Sequence, residues 1–247
     1  MGVFYGSSAV GTSGINGDTF FTSPDKSTMM LSDGASGAGD EGKVVMSNYC
    51  AKIIRESPFL NSGLSADEYF DKIIYRINNG LIKISQECKT YTFGTLVICL
   101  LQGDTAAVAS IGDSPAYHIH GQTVKRVAKT KRTFSNLIER GILTEEQAEN
   151  SIKQLPVHMW SMFDRFIPMV VPVYAVEEVE LASGDMIVLC SDGVSDYVNP
   201  DEIKDMLMAE EIPAGISRII DTAKERSVRE WGKIFYDDIT MVVYRHG

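Results

Sequence analysis

Several short segments of the chain are rich in β-branched and aromatic residues, the composition of β-strands. Pairs of glycine with a polar residue separate some of them, at Gly103-Asp104 and Gly121-Gln122, and such pairs predict tight hairpins. The centre of the chain is therefore predicted to be antiparallel. The strands are expected at Val3–Val10, Thr28–Ser32, Tyr91–Leu101, Thr105–Ile111, Ala116–His120, Thr123–Val127, Met186–Cys190 and Ile239–Tyr244.

Other segments show the spacing of helices. Ser65 and Glu68 form a capping box, and apolar residues recur at helical spacing from there to Cys88. A second helix is predicted over Glu41–Arg55, which carries an apolar stripe that ends at Ile53 and Ile54. Further helix starts are indicated by Thr144 with Gln147, and by Asn199 followed by Pro200 and Glu202.

The order of these elements indicates the fold class. Strands occur in clusters and helices occur in clusters, without strict alternation, which favours an α+β layered sandwich rather than a doubly wound parallel sheet. No repeat, low-complexity tract or Pro/Ser-rich linker divides the chain, so residues 1–247 are predicted to form a single domain. A hydrophobic fraction of 44% is sufficient to fill its core.

Charge and cysteine content limit the environment and the partners. The 33 acidic and 23 basic residues give a net charge of −10, which opposes binding to nucleic acid or to anionic membranes. The N-terminus lacks a secretion signal, and no apolar run reaches the roughly 20 residues that span a bilayer. We therefore expect a cytoplasmic protein. Cys99 and Cys190 lie in apolar strand-like runs and are predicted to be buried free thiols, because no cysteine spacing suits zinc.

Acidic residues stand at the ends of several predicted strands. Asp33-Gly34 and Asp192-Gly193 each close an apolar run, Asp113 follows another, Asp237 and Asp238 precede the last strand, and Asp18 precedes a further candidate. One such residue is more often a turn or a cap. The whole set indicates a cation, because clustered carboxylates repel each other unless a cation neutralises them.

The ligand type suggests which cation binds. Oxygen ligands without nearby histidine or cysteine favour Mg²⁺ or Mn²⁺ over Zn²⁺ or copper. A pair of such ions supports the hydrolysis of phosphate esters.

Four motifs, in chain order, resemble the protein phosphatase 2C (PPM) family of metal-dependent protein serine/threonine phosphatases. The segments are LSDGASGAGDEGKVVMS, FGTLVICLLQGDTAAVASIGDSPAY, MIVLCSDGVSDYVNPDEI and YDDITMVVY. The resemblance is to the bacterial type, with some SpoIIE-like features. It implies a four-layer α-β-β-α sandwich of two mainly antiparallel sheets, each flanked by a pair of helices, with the metals in a cleft at one edge.

The resemblance also implies roles for individual residues. Asp33 would bridge two catalytic metals, the carbonyl of Gly34 would bind one of them, and Asp192 and Asp237 would complete the other. The catalytic set is thus Asp33, Asp192 and Asp237.

Four other residues have less direct roles in this assignment. Asp18 would act through a metal-bound water, and Asp113 and Asp196 match positions that support a third, looser metal in bacterial members. Thr95 matches a threonine that is expected to pack and to form hydrogen bonds, not to react.

Some positions depart from the family pattern. Ser13 and Gly17 replace the phosphate-binding arginine and a metal-binding glutamate, so substrate-binding residues are unknown unless a cation such as Lys26 or Lys43 reaches the cleft. Ala35 replaces a histidine that some eukaryotic members carry. None of the four histidines, at positions 118, 120, 158 and 246, is an evident replacement, and we expect surface or structural roles for His118 and His120.

Two segments allow two interpretations each. The basic run over Lys125–Arg132 is either a solvated loop or a border of the cleft that attracts phosphorylated protein. The stretch over Gln154–Phe166 contains Trp160 and is either core, which we favour, or a docking surface.

The function expected from these observations is the hydrolysis of phosphoserine and phosphothreonine in proteins by a metal-bridging water, with two or three Mg²⁺ or Mn²⁺ ions. The physiological partner would be a phosphoprotein whose serine/threonine kinase the enzyme opposes, and the protein is expected to be monomeric. Two alternatives are a catalytically weak or inactive regulatory module that binds phosphoproteins, and a hydrolase of small phosphoesters.

Overall fold

A computed structural model describes residues 2–35, 38–128, 144, 174–231 and 236–247. Its strands and helices follow the predicted order, with some additions. The elements are β1 (Val3–Ala9), β2 (Asp18–Thr22), β3 (Thr28–Asp33), α1 (Gly39–Arg55), α2 (Ala66–Cys88), β4 (Leu96–Gln102), β5 (Thr105–Ile111), β6 (Ala116–His120), β7 (Thr123–Val127), β8 (Ala175–Glu180), β9 (Met186–Cys190), α3 (Asp192–Ser195), α4 (Pro200–Ala209), α5 (Ile212–Trp231) and β10 (Ile239–Arg245).

The described strands form two antiparallel sheets of five strands each. One has the order β1-β10-β9-β6-β7 and the other the order β2-β3-β4-β5-β8. Side chains alternate between the two faces of each strand, so one face of each sheet contributes to a shared core between the sheets. Leu31, Val97, Leu189 and Val242 are fully buried in this core.

Helices cover the outer face of each sheet. Helices α1 and α2 pack on the second sheet through residues such as Met46 and Phe70, and α4 and α5 pack on the first through residues such as Ile203 and Ile219. Each of these side chains is fully buried, which stabilises the fold by about 1.5–3 kcal/mol per large apolar residue. The predicted four-layer α-β-β-α sandwich is confirmed.

Capping signals fix two of the helices as predicted. The Ser65 hydroxyl accepts the Glu68 backbone N–H, and the Glu68 carboxylate accepts the Ser65 backbone N–H, so the capping box of α2 is complete. Asn199 and Glu202 form the same reciprocal pair at the start of α4. These side chains satisfy backbone N–H groups that have no partner within the helix.

Some boundaries and elements differ from the prediction. The strand expected from Tyr91 begins at Leu96, because Gly94 forms an isolated bridge with Gly34 instead of joining the regular ladder. The sequence prediction omitted β8, an edge strand with glutamates on its outer face, and α5. The helix predicted from Thr144 and the segment 154–166 lie outside the described residues, apart from Thr144 itself.

Within the described residues, no helix is long and apolar enough to cross a membrane. Three of the four cysteines, Cys50, Cys99 and Cys190, are buried free thiols. Burial raises the pKa of Cys50 to about 12 and the pKa values of Cys99 and Cys190 still higher. These thiols are therefore not reactive nucleophiles at neutral pH.

Candidate metal centre

The predicted carboxylates meet at one end of the sandwich. Asp18 begins β2 and lies opposite Asp33, the last residue of β3, in the antiparallel register. Asp113 and Asp192 follow the ends of β5 and β9, and Asp237 precedes the start of β10. Since the sheets are antiparallel, these strand ends all point to the same edge. We call this end, defined by these five residues, the carboxylate edge.

Asp33 is held in place through its backbone. The Asp33 carbonyl accepts the Thr95 N–H at 2.7 Å, and the Thr95 hydroxyl lies 3.3 Å from the Asp33 nitrogen. The same hydroxyl pairs with the Ser114 hydroxyl at 2.6 Å, next to Asp113. Thr95 therefore forms the hydrogen bonds expected of it, and these bonds also link two of the acidic segments.

Gly34 lies where the backbone of α1 passes very close. A Cβ atom at this position would overlap the carbonyl oxygen of Lys43, a backbone atom that cannot move away easily. The Gly34 N–H donates to the Gly17 carbonyl at 3.1 Å. The Asp-Gly motif is thus required for packing as well as for any role in binding a cation.

A buried ion pair lies beside Gly17 and Gly34. Lys43 Nζ is 3.4 Å from Asp238 Oδ2 and 3.1 Å from the Ser13 hydroxyl, and both charged side chains are almost completely buried. Asp238 also accepts the N–H groups of Gly11 and Gly17, each at 2.7 Å. Through these hydrogen bonds, Asp238 holds the loop between β1 and β2 against the start of β10.

Lys43 and the Gly34 backbone together explain the glycine at position 17. A Cβ on Gly17 would lie 2.8 Å from Lys43 Cδ and 2.9 Å from the Gly34 carbonyl oxygen, so a side chain at position 17 would require both neighbours to shift. The ammonium contacts Ser13, the position at which the resembled family carries its arginine. The two departures noted in the sequence thus surround one buried lysine.

Asp18 is buried close to other carboxylates, which makes its charged form unfavourable. Its pKa is raised to about 7, mainly by burial and also by the carboxylates of Asp238 and Asp237. The hydroxyls of Thr240 and Ser191 lower it in part. Removing a carboxylate from water costs free energy unless a cation or hydrogen bonds compensate.

The described residues fit a divalent metal. Two buried carboxylate oxygens, Asp18 Oδ2 and Asp113 Oδ1, have no hydrogen-bond partner among the described residues. Buried polar atoms normally have a partner, and an orphaned one often marks an absent ion or water. The surrounding atoms that could bind a metal are oxygens, which suits Mg²⁺ or Mn²⁺.

The remaining acidic residues are closer to solvent. Asp192 and Asp196 lie one helical turn apart, and the Asp196 N–H donates to the Asp192 carbonyl at 2.9 Å. Asp192 is half-buried, whereas Asp196 and Asp237 are exposed. Asp237 Oδ1 accepts the N–H of Asp238 at 2.9 Å.

The sequence analysis included Arg126 in the basic run as a whole but did not single it out, and the structure shows it to be an exposed residue. Its guanidinium donates to the Asp113 carbonyl at 3.1 Å. The start of the basic run therefore reaches the carboxylate edge, whereas residues 129–132 lie outside the described part of the chain. The sequence analysis placed Asp238 in the acidic set with Asp237 but gave it no role of its own, and the structure pairs it with Lys43.

Other predicted candidates lie elsewhere. Lys26 is in the turn between β2 and β3 and donates to the Gly2 carbonyl at 3.0 Å, so it is at the opposite end and cannot replace the arginine. His118, His120 and His246 also lie at the opposite end, near Asp185 and Asp104. Ala35, in the position of the eukaryotic histidine, is buried.

Comparison with known proteins identifies the family. The model of the family described as Protein phosphatase 2C matches residues 5–229. The chain belongs to the protein phosphatase 2C family. The resemblance seen in the sequence is thereby confirmed.

Relatives within the family are distant in sequence and close in fold. The serine/threonine phosphatase stp of Listeria welshimeri is 22% identical over 202 residues, which cover 78% of this chain and 76% of that protein. The serine/threonine phosphatase of S. agalactiae has a similar structure, with a TM-score of 0.76, 17% identity and complete coverage of both chains. The catalytic domain of the phosphatase PstP, in complex with two manganese ions, has a TM-score of 0.72 and 21% identity and covers 99% of this chain and 97% of that one.

Proposed function

We propose that this protein phosphatase 2C member is a metal-dependent hydrolase that removes phosphate from phosphoserine and phosphothreonine in proteins. The observation that carries the proposal is the set of buried carboxylate oxygens at the carboxylate edge, two of which have no partner among the described residues. The similarity to relatives named as serine/threonine phosphatases supports the substrate class.

The proposed ligands follow the strand ends. Two Mg²⁺ or Mn²⁺ ions would be held by Asp33, Gly34, Asp192 and Asp237. Asp18 would not bind an ion directly but would act through a water molecule. Asp113 and Asp196 would support a third ion. When bound, such ions supply Lewis-acid activation of the phosphoryl group and of water.

Lys43 provides fixed positive charge on the chain itself. Its ammonium balances Asp238 and contacts Ser13, at the place where the family arginine is missing. A buried lysine cannot form the bidentate contact of an arginine, but it offsets the negative charge that an incoming phosphate adds. We assign it a positioning and charge-balancing role.

Arg126 is the exposed cation at the same edge. It is anchored to the Asp113 carbonyl through one nitrogen, and within the described parts of the chain its other donors make no hydrogen bond that would keep them from a ligand. Guanidinium groups bind phosphate oxygens in pairs of hydrogen bonds. We propose that Arg126 attracts the phosphorylated side chain or the acidic residues around it.

Among the residues that the structure describes, no histidine is placed to donate a proton to the leaving group. The described histidines lie at the far end of the sandwich, and Ala35 offers no titratable group. The departing serine or threonine oxygen would therefore take its proton from solvent water.

The proposal extends to the cellular setting. Three buried free thiols suit a reducing compartment, which supports a cytoplasmic location. A kinase-opposing role, a monomeric state and a single domain over residues 1–247 are proposed with it. The regulatory-module alternative is not favoured, because the acidic residues Asp33, Asp192 and Asp237 are all present and the relatives matched over most of their length are named as phosphatases.

Turnover of a phosphothreonine peptide tests this proposal. We expect release of inorganic phosphate with Mn²⁺ or Mg²⁺, none with excess chelator, and a loss of at least a hundredfold in kcat/KM in Asp33→Asn. Asp221→Asn, which changes an exposed carboxylate on α5, is the matched control and keeps full activity. Equal turnover after chelation, or in Asp33→Asn, would show that the mechanism is wrong.

A further inference from the structure

A second cluster of potential metal ligands lies at the end of the sandwich opposite the carboxylate edge. His118 Nε2 is 2.9 Å from Asp185 Oδ2, and His120 Nδ1 is 2.9 Å from Asp185 Oδ1. The three side chains offer one ligand atom each, and these atoms all lie within 4.8 Å of one another. Asp185 precedes β9 and Asp192 follows it, so the two ends are separated by roughly 20 Å at about 3.3 Å per strand residue.

Strand geometry brings the three residues together. His118 and His120 are alternate residues of β6, so their side chains share one face of the sheet. Ile119 is paired with Met186 in the antiparallel register of β6 and β9, which places Asp185 beside the end of β6. The grouping of residues 118, 120 and 185 is therefore a consequence of the sheet register.

The carboxylate of Asp185 is firmly held. Its Oδ2 accepts the Ala182 N–H at 3.0 Å, and its backbone carbonyl accepts the His246 N–H at 2.8 Å. The side chain is only 4% exposed. Burial raises its pKa, but hydrogen bonds from His118, Ala182 and His120 outweigh this effect and hold the pKa below its ordinary value. Asp185 is thus an ionised ligand fixed in one position.

Lys125, Glu177 and His246, which are described residues near the trio, have partners of their own. Lys125 Nζ contacts Glu177 Oε1 at 2.6 Å, and that carboxylate also accepts the Ala128 N–H. His246 faces Tyr244 and Asp104, with distances of 3.1 Å to each. The cluster therefore consists of two imidazoles and one carboxylate.

The ligand set and its access suit a transition metal. The side chain of His118 is 13% exposed and that of His120 is 63% exposed, so the site opens to solvent. A tetrahedral ion with bonds of about 2.0–2.1 Å needs ligand atoms roughly 3.3 Å apart. The distances from Asp185 Oδ2 to His118 Nε2 and His120 Nδ1, 2.9 and 3.1 Å, are a few tenths of an ångström shorter, and all three atoms lie within 4.8 Å of one another. To bind the ion, each imidazole would present a lone pair at the nitrogen that faces Asp185 and carry its proton on the other ring nitrogen.

We propose that His118, His120 and Asp185 form a second metal site, distinct from the carboxylate edge and suited to Zn²⁺ or a similar transition-metal ion. The site joins the end of β6 to the turn before β9. Imidazole nitrogens favour such ions, whereas the all-oxygen edge favours Mg²⁺ or Mn²⁺, so one chain would hold two kinds of metal. This inference does not depend on the proposed phosphatase activity.

Zinc titration in saturating Mg²⁺ tests the proposal, because Mg²⁺ competes for the carboxylate edge. The readouts are the Zn²⁺ affinity and the nitrogen resonances of the histidine rings at pH 7.5. We expect one Zn²⁺ per chain, with shifts of His118 Nε2 and His120 Nδ1, and at least a tenfold loss of affinity in His118→Gln and in His120→Gln.

The matched control is Asp104→Asn, which removes an exposed carboxylate at the same end without touching the trio. It should bind Zn²⁺ like the wild type. Substitution of the exposed His120 keeps the test valid if His118→Gln does not fold. Unchanged affinity in the folded histidine variants, no shift of the two ring nitrogens, or Zn²⁺ binding that disappears only in Asp33→Asn would overturn the proposal.

Discussion

The substitution Asp18→Asn separates two effects that a buried metal-site carboxylate has on the protein. Asn keeps the shape of the side chain and removes its charge. Without metal, the charge of Asp18 is buried near other carboxylates, so the variant should be more stable than the wild type. When Mn²⁺ is bound, the same negative charge attracts the ion, so the variant should gain less stability from Mn²⁺ than the wild type does.

The magnitude follows from the shift of the Asp18 pKa from 3.8 to about 7. At about 1.36 kcal/mol per pKa unit, the penalty at pH 8 is on the order of 4 kcal/mol at most. Because the pKa is higher in the folded chain than in the unfolded chain, this penalty is absent below about pH 4 and grows until about pH 7. At pH 5 it should be less than half of its value at pH 8.

Thermal unfolding in chelator at pH 8 and at pH 5 measures this effect. A penalty of this size corresponds to a rise in Tm on the order of 10 °C in the variant at pH 8, with a clearly smaller rise at pH 5. Addition of Mn²⁺ should then raise the Tm of the wild type more than that of Asp18→Asn. Asp221→Asn, on the exposed side of α5, controls for the loss of one surface charge.

Two outcomes would refute this reasoning. One is an Asp18→Asn variant that is no more stable than the wild type at pH 8 in chelator. The other is a gain in stability that is the same at both pH values, because packing and not charge would then explain it.

Three further substitutions test other parts of the site. Lys43→Met should destabilise the fold by about 3–5 kcal/mol, because it leaves Asp238 buried without its cation. The double variant with Asp238→Asn should recover the stability of the wild type but not its KM. A KM that also recovers would contradict the positioning role of Lys43. Arg126→Gln should raise the KM for a phosphopeptide several-fold and weaken its salt dependence, and an unchanged salt dependence would argue against a substrate contact. Gly34→Ala should cost about 3 kcal/mol or more in urea unfolding, since the new methyl group meets backbone, and a cost below about 0.5 kcal/mol would disprove the close approach.

Local patterns in the sequence predicted much of the fold. Strand composition, the capping box at Ser65 and the turn at Gly103-Asp104 depend on neighbouring residues, and each is present in the structure. The edge strand β8 has glutamates at three of its six positions, two of them adjacent at Glu177 and Glu178, which hides its strand character. The start of α5 at Ile212 has no polar N-cap signal of the kind that marks α2 and α4.

Some residues of the candidate site could be predicted from local sequence patterns, and others could not. Asp33 and Asp192 were visible because an Asp-Gly pair after an apolar run is a local signal. Lys43 and Asp238 are 195 residues apart in the chain, and only the tertiary fold brings this residue of α1 to the segment before β10. Contacts of this kind have no signature in one sequence.

The histidines show the limit most clearly. Alternate spacing places His118 and His120 on one face, but their common partner Asp185 is set by the register of β6 and β9. The prediction of a surface or structural role for these histidines therefore lacked the third residue of the cluster.

Crystals grown with Mn²⁺ provide the most direct test of the proposed catalytic centre, through anomalous scattering at the manganese edge. We predict at least two anomalous peaks at the carboxylate edge, coordinated by Asp33, Asp192 and Asp237, at a Mn²⁺ concentration that supports turnover. The absence of any peak at this edge under those conditions would contradict the account.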